Sequence, residues 1–102
     1  MKYVIEWKRK RHGTLDEYEA GQRRVLGLLR RWKRPEGVTI QQWVVRAGGS
    51  GGYAVVETDD LAPMHEATRV FSGLNFLIDP VLDIDVALAA AGQAIEWRDA
   101  AV

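Results

Sequence analysis

A chain of 102 residues, 47% hydrophobic and 27% charged, has the composition of one ordinary globular domain, long enough to bury roughly 60 to 70% of the surface its unfolded form exposes. A formal net charge of zero speaks against a dedicated polyanion binder, and the absence of cysteine excludes disulfides, thiolate catalysis and cysteine-based metal centres together. No apolar run approaches the ~20 residues of a membrane span, and Met1 leads straight into Lys2-Tyr3-Val4-Ile5-Glu6-Trp7 without the apolar core of a secretory signal, so a single cytoplasmic domain over residues 1–102 is expected.

Lys2 to Lys8 alternates Tyr3, Ile5 and Trp7 with Val4, Glu6 and Lys8, the period-two pattern of a strand. Thr14 followed by Glu17 is a capping box, which satisfies two backbone donors that a helix start leaves orphaned. From there Leu15, Tyr18, Gln22, Val25, Leu29 and Trp32, with Leu26 beside them, recur at helical steps and predict one buried stripe. Pro35 and Gly37 end that helix.

Two apolar runs, Ile40 to Ala47 and Tyr53 to Thr58, flank Gly48-Gly49-Ser50-Gly51 and read as a β-hairpin. With Gly48 to Gly51 as the loop, Ala47 pairs with Gly52, Arg46 faces Tyr53, Val44 faces Val55 and Gln42 faces Glu57. Trp43, Ala54 and Val56 then share the other face, under the helices. Asp59 or Asp60 caps a second helix, in whose first turn Pro63 is tolerated. Leu61, Met64, Ala67, Thr68 and Phe71 form its buried stripe, and Ser72-Gly73 closes it. Leu74 to Val81 is a fourth strand, placed at an edge by Pro80. Asp83 or Asp85 caps a last helix with a narrow stripe of Ile84, Leu88, Ala91 and Ile95, interrupted by Gly92, whose alanines permit close approach to a neighbour.

The order β-α-β-β-α-β with a C-terminal helix is that of an α+β, ferredoxin-like domain: a four-stranded antiparallel sheet with two helices on one face. Right-handed crossovers put strands 1 and 3 at its centre. The opposite face carries Val4, Glu6, Lys8, Gln42, Val44, Arg46, Tyr53, Val55 and Glu57, a mixture suited to half-burial against a partner sheet. The segments Met1 to Trp7, Pro35-Glu36-Gly37-Val38-Thr39-Ile40, Gly51-Gly52-Tyr53-Ala54-Val55-Val56-Glu57-Thr58-Asp59-Asp60 and Pro80-Val81-Leu82-Asp83-Ile84 resemble an uncharacterised group of small bacterial proteins in the dimeric α/β-barrel superfamily. The resemblance spans nearly the whole chain and implies a homodimer whose open sheet faces pair into a barrel. It implies no activity. The wider superfamily holds cofactor-free monooxygenases, lactone isomerases, haem-degrading enzymes and stress-response barrels, and no motif here selects among them.

Glu6 and Glu57 fall by parity on the same face of the two central strands. Two carboxylates held close and dry cannot both ionise cheaply, so one of them would serve as general acid or base of a cofactor-independent oxygenase or isomerase acting on a small hydrophobic compound. Gln42, Arg46 and Tyr53 share that face and would orient a polar ligand. The bland alternative, favoured because structural ion-pair networks perturb carboxylates as well, pairs both glutamates with Lys8, Arg46 or a dimer mate, and spacing alone does not decide between the two.

His12 and His65 read as a loop residue and a solvated helix residue, and their separation gives no metal-ligand pattern. Gly48 to Gly52 opens no helix and is a turn rather than a phosphate loop. Trp7, Trp32 and Trp43 sit at core positions, and Trp97 anchors the last helix to its own core or to a neighbour. No cofactor is indicated.

Charge is distributed unevenly. Residues 1–46 hold 12 Lys+Arg against 5 Asp+Glu, net +7, and residues 47–102 hold 2 against 9, net −7. The basic cluster of Lys8-Arg9-Lys10-Arg11, Arg23, Arg24, Arg30, Arg31, Lys33 and Arg34 offers a third reading, a nucleic-acid or acidic-partner surface on helix 1. Neutralisation by the acidic half, within one molecule or across a dimer, is the simpler account.

Overall fold

A computed structural model describes residues 1–10 and 13–101. Seven elements follow one another: β1 (Lys2–Arg9), α1 (Leu15–Arg31), β2 (Thr39–Val45), β3 (Gly51–Glu57), α2 (Ala62–Val70), β4 (Leu74–Val81) and α3 (Ile84–Ala100). The strands form one antiparallel sheet in the order β2-β3-β1-β4, the ferredoxin-like arrangement, with β1 and β3 central. Pro80 lies on the β4 edge strand, where its missing N–H breaks no ladder.

The start of α1 follows its capping chemistry. Thr14 Oγ1 accepts from the Glu17 N–H at 3.1 Å, and the Glu17 carboxylate reaches back to the Gly13 N–H at 3.3 Å, one residue before the cap itself. Neither Asp59 nor Asp60 is the N-cap of α2, which is Leu61 without a side-chain cap bond; Asp60, one residue earlier, accepts from the Ala62 N–H at 3.0 Å, and Thr58 holds the turn by exchanging hydrogen bonds with the Asp60 backbone. Asp83 occupies the N-cap position of α3 but its side chain caps nothing; it pairs with Lys2 instead.

The hairpin keeps the expected loop length but slides. Arg46 N–H donates to the Gly51 carbonyl and Gly49 N–H to the Arg46 carbonyl, both at 2.8 Å, so the loop is Ala47 to Ser50, with Gly49 at φ 78° taking the left-handed position. Val45 therefore meets Gly52, Val44 meets Tyr53 and Trp43 meets Ala54. The partners of Gly52, Tyr53 and Val55 differ by two residues from the expected ones and that of Glu57, which is Thr39, by three, which corrects the pairing of Ala47 with Gly52, Arg46 with Tyr53, Val44 with Val55 and Gln42 with Glu57. A shift of two preserves the faces, and Trp43 lies with Ala54 and Val56 toward the helices.

Between Ile40 and Gln42 the ladder is broken by a bulge. Ile40 and Trp43 are three residues apart and would face opposite ways in a regular strand. The bulge adds Gln41 as an extra residue, so both apolar side chains face the helices while Gln41 and Gln42 both stay outside.

The core is small. Ala54, Val56 and Met64 are buried together, with Tyr3, Ile5, Trp7, Val38, Ile40 and Ile78 packed against them. From α2, Met64 and Thr68 are buried, and Phe71 just beyond it also, whereas Leu61 is exposed because it precedes the helix. The expected stripe of α1 is not buried: no α1 residue is, and Leu15, Leu26 and Leu29 remain exposed. The stripe of α3 is likewise unburied.

Gly51 and Gly52 are the tightest points of the sheet, and at Gly52 the backbone φ is one that any residue adopts. A Cβ there would lie 2.2 Å from the Val44 carbonyl oxygen and 2.5 Å from the Trp7 ring, closer than packed atoms tolerate. Gly52→Ala is expected to destabilise the fold by about 2 to 4 kcal/mol in urea unfolding. Gly48→Ala, where an added methyl meets nothing within 4 Å, is the control and is expected to stay within about 0.5 kcal/mol.

Candidate functional site

Two faces of the sheet offer different chemistry. On the open face the strand register sets up four rows: Glu57, Lys2 and Val81; Gln42, Val55, Val4 and Asp79; Val44, Tyr53, Glu6 and Leu77; and Gly51, Lys8 and Asn75, with Arg46 beside Gly51. Glu6 and Glu57 do share this face, but Tyr53 stands opposite Glu6 and Lys2 opposite Glu57. The carboxylates are four residues apart along β3, roughly 13 Å at the ordinary strand rise. The close pair expected from parity is therefore not formed, and with it goes the shared-proton argument.

Each glutamate has its own partners. Glu6 Oε1 lies 3.3 Å from Lys8 Nζ and 3.6 Å from Arg46 Nη2. Arg46 Nη2 also donates to the Tyr53 hydroxyl at 2.6 Å, its guanidinium stacked 5.1 Å from the Tyr53 ring centroid. Glu57 Oε2 accepts from Gln41 Nε2 at 2.8 Å. Of the expected ligand residues, Arg46 and Tyr53 are brought together with Glu6, while Gln42 sits in the neighbouring row opposite Val55. Gln41, which the bulge turns onto this face, is the contributor that an unbroken alternation conceals.

The helix-facing side holds a cavity of about 280 Å³ between the sheet, α1 and α2. One wall is aromatic. Trp7 and Trp43 meet edge to face at 6.1 Å, Trp43 and Trp32 at 6.2 Å, and Trp32 and Phe71 at 5.4 Å, the geometry that ring quadrupoles favour. The rest is aliphatic, from residues such as Val25, Leu26, Leu29, Val38 and Ile40. Among the described residues Arg9, stacked on the Tyr18 ring at 5.1 Å, is the one charged residue in the lining, and neither Glu6 nor Glu57 reaches it. A cavity served by one of those carboxylates, as the oxygenase or isomerase reading requires, is not what these elements build.

On the β2 side the lining residues Trp43 and Val45 are exposed, which makes this the open side of the cavity, and Arg34 lies 5.9 Å from the Trp43 ring centroid. The end of α1 and the residues after it carry Arg30, Arg31, Lys33 and Arg34, all exposed. His65 is an exposed residue of α2; His12, together with Arg11 of the basic run, lies outside the described residues. Among the described residues no group of three or more His, Asp or Glu side chains could hold a metal ion, and no helix is long and apolar enough to cross a membrane.

Residues 1–95 match the family described as "Domain of unknown function (DUF3303)". No curated protein matches the chain. A solved structure similar to it is that of SCO4226 from Streptomyces coelicolor A3(2), with 14% sequence identity, a TM-score of 0.39, and coverage of 79% of this chain and 99% of that one.

The open-face ion pairs are solvated, Glu6 and Arg46 keeping 27% and 36% of their side-chain surface exposed, and exposed pairs contribute little. In the single chain, a double-mutant cycle on Glu6→Gln and Arg46→Met should give a coupling of at most about 1 kcal/mol in urea unfolding, and a larger one only where a second copy covers this face. A value of several kcal/mol would mark a desolvated pair instead.

Proposed function

Since the chain belongs to this family of proteins of unknown function, we propose that it is a small-molecule-binding protein that acts as a homodimer, two copies pairing through their open sheet faces into an α/β barrel of the dimeric α/β-barrel superfamily. The observation that carries the binding reading is the aromatic-walled cavity. Ligand pockets are concave, chiefly apolar and equipped with a few orienting polar groups, and at about 280 Å³ this one sits near the lower end of their sizes, ~300 Å³. A flat bicyclic aromatic compound fits such walls, and Arg9 supplies a partner for a carboxylate on it.

Support for the assembly comes from the open face. Val4 and Val55 lie side by side at its centre, and Val44 and Leu77, at 46% and 57% exposure, stand at its two edges on either side of Tyr53 and Glu6. Aliphatic side chains set among charges in this way suit a surface that meets a partner.

Sedimentation equilibrium at micromolar concentration is expected to give twice the 11.5 kDa chain mass. Val44→Asp, which places a charge in the proposed interface, should shift the protein to monomer. Titration with 1-naphthoate should quench tryptophan emission saturably with one molecule per chain. Ala67→Trp, which fills the cavity, should weaken that binding at least tenfold. A monomeric wild-type protein would overturn the assembly, and quenching that never saturates would overturn the site.

A further inference from the structure

The chain leaves far more surface exposed than its mass requires. A folded monomer of 11.5 kDa is expected to expose about 5,800 Å², whereas this chain exposes 7836 Å², an excess of about 2,000 Å². Its radius of gyration is 18.3 Å and its longest dimension 62 Å, against about 13 Å for the radius of a compact domain of this length.

Helix α3 contributes to that excess. It has no buried residue, and Ile84, Val86, Leu88, Ile95 and Trp97 are between 47% and 75% exposed. Seventeen residues of helix extend about 25 Å. An apolar helix standing free of its own domain is the signature of an element that packs elsewhere. The excess surface is also of the size that each chain buries in an obligate dimer, about 1,000 to 2,500 Å².

We propose that α3 of one copy closes the cavity mouth of the other, packing its apolar side chains against Trp43, Val45, Leu26 and Leu29 of the partner. The inference rests on the face-to-face dimer proposed above. If the two-fold axis of that dimer runs along the strands, the β4 edge of each sheet stands opposite the β2 edge of its mate, which is how two open sheets close into a barrel without leaving bare edges. Helix α3 leaves β4 at that edge. It also leaves on the open-face side, because its N-cap residue Asp83 is held by Lys2, which shares that face with Val4 and Glu6. The arm thus starts where the partner's β2 and cavity mouth would lie.

Charge agrees with this placement. Asp85, Glu96 and Asp99 outnumber the single Arg98 on α3, while the segment that brings Arg34 to Trp43 at the mouth carries Arg30, Arg31, Lys33 and Arg34 with no acidic residue among positions 30–34. Opposite charges around an apolar contact steer docking and fix its register. In this arrangement each ligand site is completed by the other chain, and binding is coupled to assembly.

The cysteine-free sequence makes the test direct. Val45→Cys on one preparation and Leu88→Cys or Ile95→Cys on another place single thiols at exposed positions, so the folds should persist. Mixing the two preparations and treating them with a short bis-maleimide is expected to give a covalent species of double mass. The Leu88→Asp/Ile95→Asp chain should bind 1-naphthoate at least tenfold more weakly while sedimenting as a dimer. Cross-linking that is absent, or confined within one chain of the double Val45→Cys/Leu88→Cys variant, in a protein that still sediments as a dimer would overturn the arm exchange and leave the dimer standing. A monomeric wild-type chain would instead overturn the dimer on which the exchange depends.

Discussion

The contact between the Trp7 indole and the backbone at Gly52 organises the helix-facing half of the molecule. Because residue 52 has no Cβ, the ring lies directly over β3 and reaches Trp43 on the far strand. From Trp43 the edge-to-face series runs up through Trp32, immediately after α1, to Phe71, immediately after α2. Rings of this size between a sheet and its helices keep the two layers apart. The volume they do not fill is the cavity, so one glycine in a central strand helps to shape a pocket bounded by six elements.

The same spacing explains why α1 has an apolar stripe without a buried residue. Val25, Leu26 and Leu29 point to the cavity and not into a filled core, and Leu15 projects beyond the sheet. The aliphatic contacts that do exclude water are concentrated where α2 meets β3, at Met64, Ala54 and Val56. A fold so arranged has a firm base at α2 and a lighter cover at α1.

Element order, strand order and the sharing of faces were legible in the chain, because each depends on local patterns: the alternation of Lys2 to Lys8, the Thr14–Glu17 cap, the glycine-rich turn and the position of Pro80. The hairpin register was not, since Gly48, Gly49, Gly51 and Gly52 all accept turn or strand geometry and only the backbone bonds between Arg46 and Gly51 choose among them. The bulge at Gln41 was hidden for a related reason. Its driving force is the joint burial of Ile40 and Trp43, visible only once the helices define an inside. Parity correctly put Glu6 and Glu57 on one face, yet parity repeats every two residues and says nothing of distance along a strand, so the expected carboxylate pair dissolved into two separate networks.

Helix α3 separates the two levels most clearly. From sequence alone came its existence, its near-continuous apolar character and its acidic balance, all properties of consecutive residues. Where it goes is a different matter. The Lys2–Asp83 contact and the direction of β4 carry it away from its own sheet, and those are long-range geometric facts, set by how eighty preceding residues pack. Sequence by itself determined which segments are helix and strand and which side of each is apolar, because hydrogen-bonding period and hydrophobicity act between near neighbours. Tertiary structure alone decided how far apart the layers stand, which polar groups meet and which apolar surfaces stay uncovered, because those depend on the sizes of side chains brought together from distant parts of the chain.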